Sequence, residues 1–296
     1  MKKWNKWIAL GTAAVMSMTM LAGCGSSSTE TTAPAKATPT STQTAEGTTA
    51  STTETTAVET IEYPADVQAI IDRGVLNVGV KNAVIGFGYQ DTLTGEYSGL
   101  EISLAEKLAE YLGVDVEFTA VTAATRTELL DSGDIDCVLA TFTITDERKK
   151  SWDFTTPYFT DHVSVLVENS SGIKTLSDLT DKKVGVSSGS TSAKSLVQAM
   201  IDNGVITGDG FDADTFDPAT WTEGVSFAQY EDYPTISTAL SAGEVDAFCV
   251  DKSILAIYNT DSRSYIEEEF APQEYGIATT KGSGFSTVCE DLVQQW

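Results

Sequence analysis

The chain has 296 residues, with 18 Lys and Arg against 43 Asp and Glu, a formal net charge of −25. That balance argues against a nucleic-acid binder, whose affinity rests on cationic side chains that displace counterions from phosphates. One histidine, His162, leaves little room for a His-rich zinc site or Ser-His-Asp chemistry, and 41% apolar residues over this length suffice for two cored lobes.

Lys2, Lys3 and Lys6 precede an apolar run from Trp7 to Met20 that closes on Leu21-Ala22-Gly23-Cys24. A basic start, a short apolar core and small residues before the break mark an export signal, too short for a comfortable membrane span. Residues 1–23 are expected to be this signal. Leu21 to Cys24 resembles the lipobox of bacterial lipoproteins, which implies that Cys24 is lipidated and anchors the mature chain to the outer face of the cell membrane. Residues 24–60 then form a tether: from Gly25 to Thr60 there are 5 Ser and 14 Thr and almost nothing to bury, so the segment is expected to be disordered. Signal and tether hold four cations (Lys2, Lys3, Lys6, Lys36) and four acids (Glu30, Glu46, Glu54, Glu59), so the whole net charge belongs to residues 61–296. Cys137 and Cys249 lie within apolar runs and Cys289 in a terminal helical stretch; these read as packed thiols, not a disulfide framework.

Val75–Val80 alternates as a strand, and Gly99-Leu100 opens a helix whose Leu104, Ala105, Leu108, Tyr111 and Leu112 share one face before Gly113 stops it. Residues 114–120 alternate again. The rhythm continues as helix 125–132, strands 135–140, 163–168 and 184–186, helices 192–203 and 236–242, and strand 245–250, which predicts an α/β protein with mostly parallel strands. Two segments match: Leu130 to Ala140 (LDSGDIDCVLA) and Leu240 to Val250 (LSAGEVDAFCV) share a helix end, a Gly stop, an acid, a β-branched residue, an Asp and a strand. Ligands of open α/β sheets sit beyond the carboxyl ends of strands, so Thr141 and Asp251, which follow the two strands, are candidate site residues facing each other across a cleft.

The order of Val78 to Lys81 (VGVK), Gly99 to Leu104 (GLEISL), Thr141 to Arg148 (TFTITDER), Asp153 to Tyr158 (DFTTPY), Val184 to Thr191 (VGVSSGST) and Tyr275 to Ile277 (YGI) resembles the polar amino-acid-binding proteins of ABC importers, solute-binding family 3. Ala124 to Arg126, Tyr233 to Ile236 and Val250 to Ile254 make the aspartate and glutamate binders the nearest likeness. The resemblance spans about Pro64 to the end and implies a two-lobed periplasmic-binding-protein clamshell of type II: lobe 1 from residues 61–160 and 276–296, lobe 2 from 161–275, with crossovers near Phe159–Val163 and Ala271–Tyr275. The chain departs from the family pattern at Ser103, where a second acid is usual, and at Ala83-Val84-Ile85, where acidic-ligand members often have Asp-Val-Pro. It also carries a long acidic segment between Asn203 and Gly224. Asp209, Asp212, Asp214 and Asp217 there lack EF-hand spacing and read as a solvated loop.

A free amino acid presents a carboxylate, an ammonium and a side chain, each needing a partner once water is expelled. Arg148 suits the α-carboxylate through its planar pair of N–H donors, and it resembles the family's carboxylate-binding arginine. Thr145 is the expected cap of that turn. Asp251 matches the ammonium, with Thr141 and Thr143 adding contacts, while Ser190 and Thr191, at a strand-to-helix turn with free amides, close on the carboxylate. The resemblance aims Lys81 and Arg126 at the ligand side chain, Tyr233 at the same group and Phe87 at its aliphatic stem. Three cations against Asp251 leave a surplus that a dicarboxylic amino acid reduces and a neutral one does not. The expected function is capture of glutamate or aspartate by a monomer, without cofactor or metal, for delivery to an ABC permease. Two alternatives stand: another polar amino acid such as glutamine or cystine, or an enzyme like the cyclohexadienyl dehydratases that share this fold.

Overall fold

A computed structural model describes residues 62–295. The export signal, Cys24 and the tether lie outside the described residues. From the amino end come α1 (Ala65–Arg73), β1 (Val75–Val80), a small meander of β2 (Ala83–Val84), β3 (Gly88–Gln90) and β4 (Tyr97–Ser98), then α2 (Leu100–Leu112), β5 (Asp115–Ala120), α3 (Arg126–Ser132), β6 (Cys137–Leu139) and β7 (Trp152–Phe154). The chain continues through the long β8 (Phe159–Glu168), β9 (Lys182–Ser187), α4 (Ser192–Asp202), β10 (Val225–Tyr230), α5 (Tyr233–Ala242), β11 (Ala247–Asp251), the short α6 (Lys252–Leu255), β12 (Arg263–Tyr265) and β13 (Phe270–Tyr275). It ends with β14 (Ala278–Thr280) and α7 (Phe285–Val293).

Two sheets result, one per lobe. The first runs β5-β1-β6-β14-β7 and the second β10-β9-β11-β8-β12, with β13 also paired to β8. The fold is mixed α/β and two-lobed, as expected, but the strands are not mostly parallel. Only β5-β1-β6 and β10-β9-β11 are parallel, while β14 and β8 return against them and make the remaining pairings antiparallel. The reason is topological: β7, β8, β13 and β14 carry the chain between lobes and back without the crossover helix that a parallel pairing needs. The two passages meet, β8 pairing with β13 from Phe159↔Tyr275 to Val163↔Phe270.

The repeated segments are true structural twins. α3 and α5 each end on a left-handed glycine, Gly133 or Gly243. The Asp that follows does the same work in each: Asn77 N donates to Asp136 Oδ2 at 2.8 Å and Lys183 N donates to Asp246 Oδ2 at 2.8 Å, tying each unit to the neighbouring parallel strand. On α2, Leu104, Ala105, Leu108 and Leu112 are buried, but Tyr111 is 47% exposed; the buried stripe is completed instead by Ile102, Ala109 and the acid Glu101. Each lobe has its own apolar core, and a third cluster joins Val84 and Phe87 of the first lobe to Phe248 of the second and to Leu166 and Tyr275 on β8 and β13. Cys137, Cys249 and Cys289 are buried free thiols. The acidic segment between α4 and β10 lays Phe211, Phe216 and Trp221 against the second lobe's core, their rings packing on one another at centroid distances of 5.6–5.8 Å.

Candidate functional site

The ends of β6 and β11 face each other, as Thr141 and Asp251, across a cavity between the lobes. Seven of the ten candidate ligand residues line it: Arg126, Thr141, Thr143, Ser190, Thr191, Tyr233 and Asp251. Its volume is ≈ 10 Å³, far below the roughly 300–1,000 Å³ of sites for drug-sized ligands. That is about one water molecule's worth, so a larger occupant would need the lobes to part.

Thr141 has φ 45°, a left-handed conformation that strains a β-branched residue. The peptide joining Ala140 to Thr141 is held at both ends by buried ionisable side chains. Its N–H donates to Glu101 Oε1 at 2.5 Å and its carbonyl accepts from Arg126 Nη1 at 2.8 Å. Arg126 is 3% exposed, its guanidinium carbon lies 3.8 Å from the Phe142 ring centroid, and its Nε is buried without a partner. Burial brings Arg126 down to about 10. Arg148 stands at the rim. Its Nη1 donates to Thr143 O at 2.8 Å and its Nη2 crosses the cleft to Gly189 O at 3.1 Å, while Thr145 Oγ1 accepts from its N–H. Burial, then the charge of Arg126, brings Arg148 down to about 9.

Asp251 Oδ2 accepts from the Tyr275 hydroxyl, and burial pushes its carboxyl up to about 7. Tyr233, the first residue of α5, stacks on Phe248 with its hydroxyl held above the usual range by burial. Lys81 is 5% exposed, with its ammonium 5.7 Å from the Tyr233 ring centroid; burial, then Arg126, holds it well below the ordinary lysine range. Lys81 sits behind Tyr233 and does not line the cavity. Neither does Phe87, which packs edge-on against Phe159 (5.0 Å) and Tyr275 (5.7 Å) in the crossover core. Arg148 opens onto a wider outer chamber of ≈ 330 Å³ that shares Ala123, Ser190 and Thr191 with the inner cavity. Among the described residues the five ion pairs involve Arg73, Lys194, Lys252, Arg263 and Lys281, so Lys81, Arg126 and Arg148 have none.

Two buried residues escaped the sequence reading. Gln273, 3% exposed, accepts at Oε1 from the Thr143 and Thr191 hydroxyls, each at 2.8 Å, and so couples one lobe to the other through the crossover. Its signal is the alternation Gln273, Tyr275 on the inner face of β13. Glu101, 0% exposed, accepts at Oε1 from Thr141 N and from the Tyr158 hydroxyl (2.6 Å), while Oε2 has no partner. Its signal is spacing: Glu101, Leu104, Ala105, Leu108 and Leu112 fall on one helix face, placing an acid in the buried register.

The pattern describing bacterial extracellular solute-binding proteins, family 3, matches residues 76–209. The glutamine-binding protein of Geobacillus stearothermophilus is 33% identical over 287 residues, covering 94% of this chain and 93% of its own. The L-cystine-binding protein TcyJ of Escherichia coli is 33% identical over 75% of each chain, and the glutamate-binding protein GluB of Corynebacterium glutamicum is 28% identical over 72% and 70%. Among solved structures, an ancestral arginine-binding protein bound to arginine superposes with TM-score 0.62 at 31% identity, covering 75% of this chain and 92% of that one. The ancestral amino-acid-binding protein AncCDT-1, a precursor of cyclohexadienyl dehydratase, gives 0.63 at 29% identity over 77% and 92%.

Proposed function

The chain belongs to the bacterial extracellular solute-binding proteins, family 3, and from that premise we propose that it captures a free acidic amino acid, glutamate or aspartate, and hands it to an ABC importer. The observation that carries the reading is the small cavity between the lobes, with Asp251 on one side and Arg126, Thr141 and Thr143 on the other. A zwitterion needs an anion for its ammonium and guanidinium or hydroxyl donors for its carboxylate, and no covalent step. Closing the lobes buries the solute and creates the surface a permease reads. Preference for an acidic side chain rests on Lys81, Arg126 and Arg148, three cations without ion pairs among the described residues. Glu101 is a second buried acid in addition to Asp251, so the surplus of formal charge is one positive and not the two expected from the sequence; a dicarboxylic ligand of net −1 cancels it.

A neutral polar ligand is the second reading, favoured by Glu101 and by the glutamine- and cystine-binding relatives. Titration calorimetry with glutamate, aspartate, glutamine, cystine and arginine separates the two. Tightest binding of glutamate or aspartate supports the first, and tightest binding of any other member overturns it. Turnover of prephenate or arogenate would replace both with dehydration. We propose further that Cys24 carries the lipid anchor, which intact-mass measurement of the membrane fraction tests through loss of the added mass in Cys24→Ala.

A further inference from the structure

A buried carboxylate that does not line the cavity is tied to one of the cations that does. The peptide between Ala140 and Thr141 is a bridge: at one end its N–H meets Glu101 Oε1, at the other its carbonyl meets Arg126 Nη1, and Arg126 lines the cavity. An acid and a guanidinium at opposite ends of one peptide dipole act as an ion pair with an amide inserted between them. Each polarises the amide in the sense the other needs. The second oxygen, Oε2, is buried and has no hydrogen-bond partner, so its charge is answered only at a distance, by Arg126 and by Lys81. Neither cation has an ion pair of its own among the described residues. Glu101 is also where the strain at Thr141 is anchored.

We propose that Glu101 is the positioning residue that sets the ligand charge this site prefers: through the Ala140–Thr141 peptide it is the counter-ion of Arg126, and it holds the cleft at one uncompensated positive charge where its absence would leave two. Burial raises the Glu101 carboxyl, while the donors on Oε1 and the two cations favour its ionised form. The inference rests on the amino-acid-binding reading but not on which amino acid is preferred.

Glu101→Gln keeps the shape and keeps an oxygen for Thr141 N–H and the Tyr158 hydroxyl, while removing the charge. Calorimetry then compares glutamate with glutamine, equal in size and different in charge. The expected result is a shift of the glutamate-to-glutamine affinity ratio towards glutamate by about tenfold or more relative to wild type, whichever of the two wild type prefers. Equal weakening of both, an unchanged ratio or a shift towards glutamine overturns the proposal and leaves Glu101 a purely structural clamp. If wild type takes arginine and neither of these, the arginine and citrulline pair replaces them and the variant must move towards citrulline. Should Glu101→Gln not fold, Tyr158→Phe removes one donor from Oε1 and must shift the ratio in the same direction by a smaller factor; a ratio within twofold of wild type overturns the proposal. A wild type that binds no amino acid would instead overturn the function proposed above.

Discussion

Gly189→Ala separates closure of the lobes from stability of the fold. Gly189 has φ 74°, where alanine costs about 1–2 kcal/mol whether the cleft is open or shut. A methyl group there would stand 2.8 Å from Ala123 O and 2.9 Å from Ala124 Cα, backbone atoms of the opposite lobe. Reaching ordinary contact at 3.4 Å moves the loops apart by roughly 0.6 Å, and the same shift stretches the 3.1 Å bond from Arg148 to Gly189 O beyond hydrogen-bonding reach. Only the closed form pays this second cost. A charge-assisted bond contributes about 1.5–3 kcal/mol, which predicts roughly ten- to hundredfold weaker amino-acid binding. The control is Gly133→Ala, with φ 77° and nothing within 4 Å of the added carbon. Both variants should lower the melting temperature of the ligand-free protein by about 2–8 °C, from a shift of about 2–4 °C per kcal/mol for a body of this size. Affinity should fall only in Gly189→Ala. Unchanged affinity in Gly189→Ala, or an equal loss in Gly133→Ala, would refute a closed contact at Gly189.

Asp251 gives a pH signature. Its buried carboxyl sits at about 7, so between about 4 and 7 the folded chain holds a proton that the unfolded chain has released, and stability of the empty protein falls as pH rises through that window. A ligand ammonium favours the ionised form, so binding at pH 6 should release a proton and affinity should rise towards pH 7, read by calorimetry in buffers of different ionisation enthalpy; proton uptake would contradict this placement. Gln273→Met leaves the Thr143 and Thr191 hydroxyls without their shared acceptor and should cost about 1–3 kcal/mol in urea unfolding, with weaker ligand binding beside it. Lys194→Ala removes an exposed inter-lobe pair with Glu147 at 3.1 Å and should change affinity less than about fivefold, since such pairs contribute about 1 kcal/mol or less; a larger loss would make that pair a true latch.

The parts of this fold that were legible in the sequence are those that repeat or alternate. The twin units ending in Thr141 and Asp251 were readable because a helix stop and a strand-tying Asp recur at the same spacing, and those two strand ends do face each other in the structure. Direction was not readable. Residue alternation is the same for a strand running either way, so the antiparallel returns β8 and β14 passed as members of a parallel set. The cations illustrate a second limit. Arg126 and Arg148 were found as charges, but the sequence does not show which N–H groups the backbone takes first, and in the structure Ala140 O, Thr143 O and Gly189 O take three of them. Phe87 shows a related limit: an aromatic near a cleft motif packs equally well against the crossover, and Phe159 and Tyr275, distant in sequence, supply that partner. Counting charges by motif also passed over a buried acid. Glu101 lies on a helix face whose other members are apolar, and a carboxylate remains in such a register only if donors and cations from other segments meet it. Thr141 N–H, Tyr158, Lys81 and Arg126 do so from four separate stretches of chain. A polar residue in a buried register is therefore the sequence feature that points to a network before its partners are known.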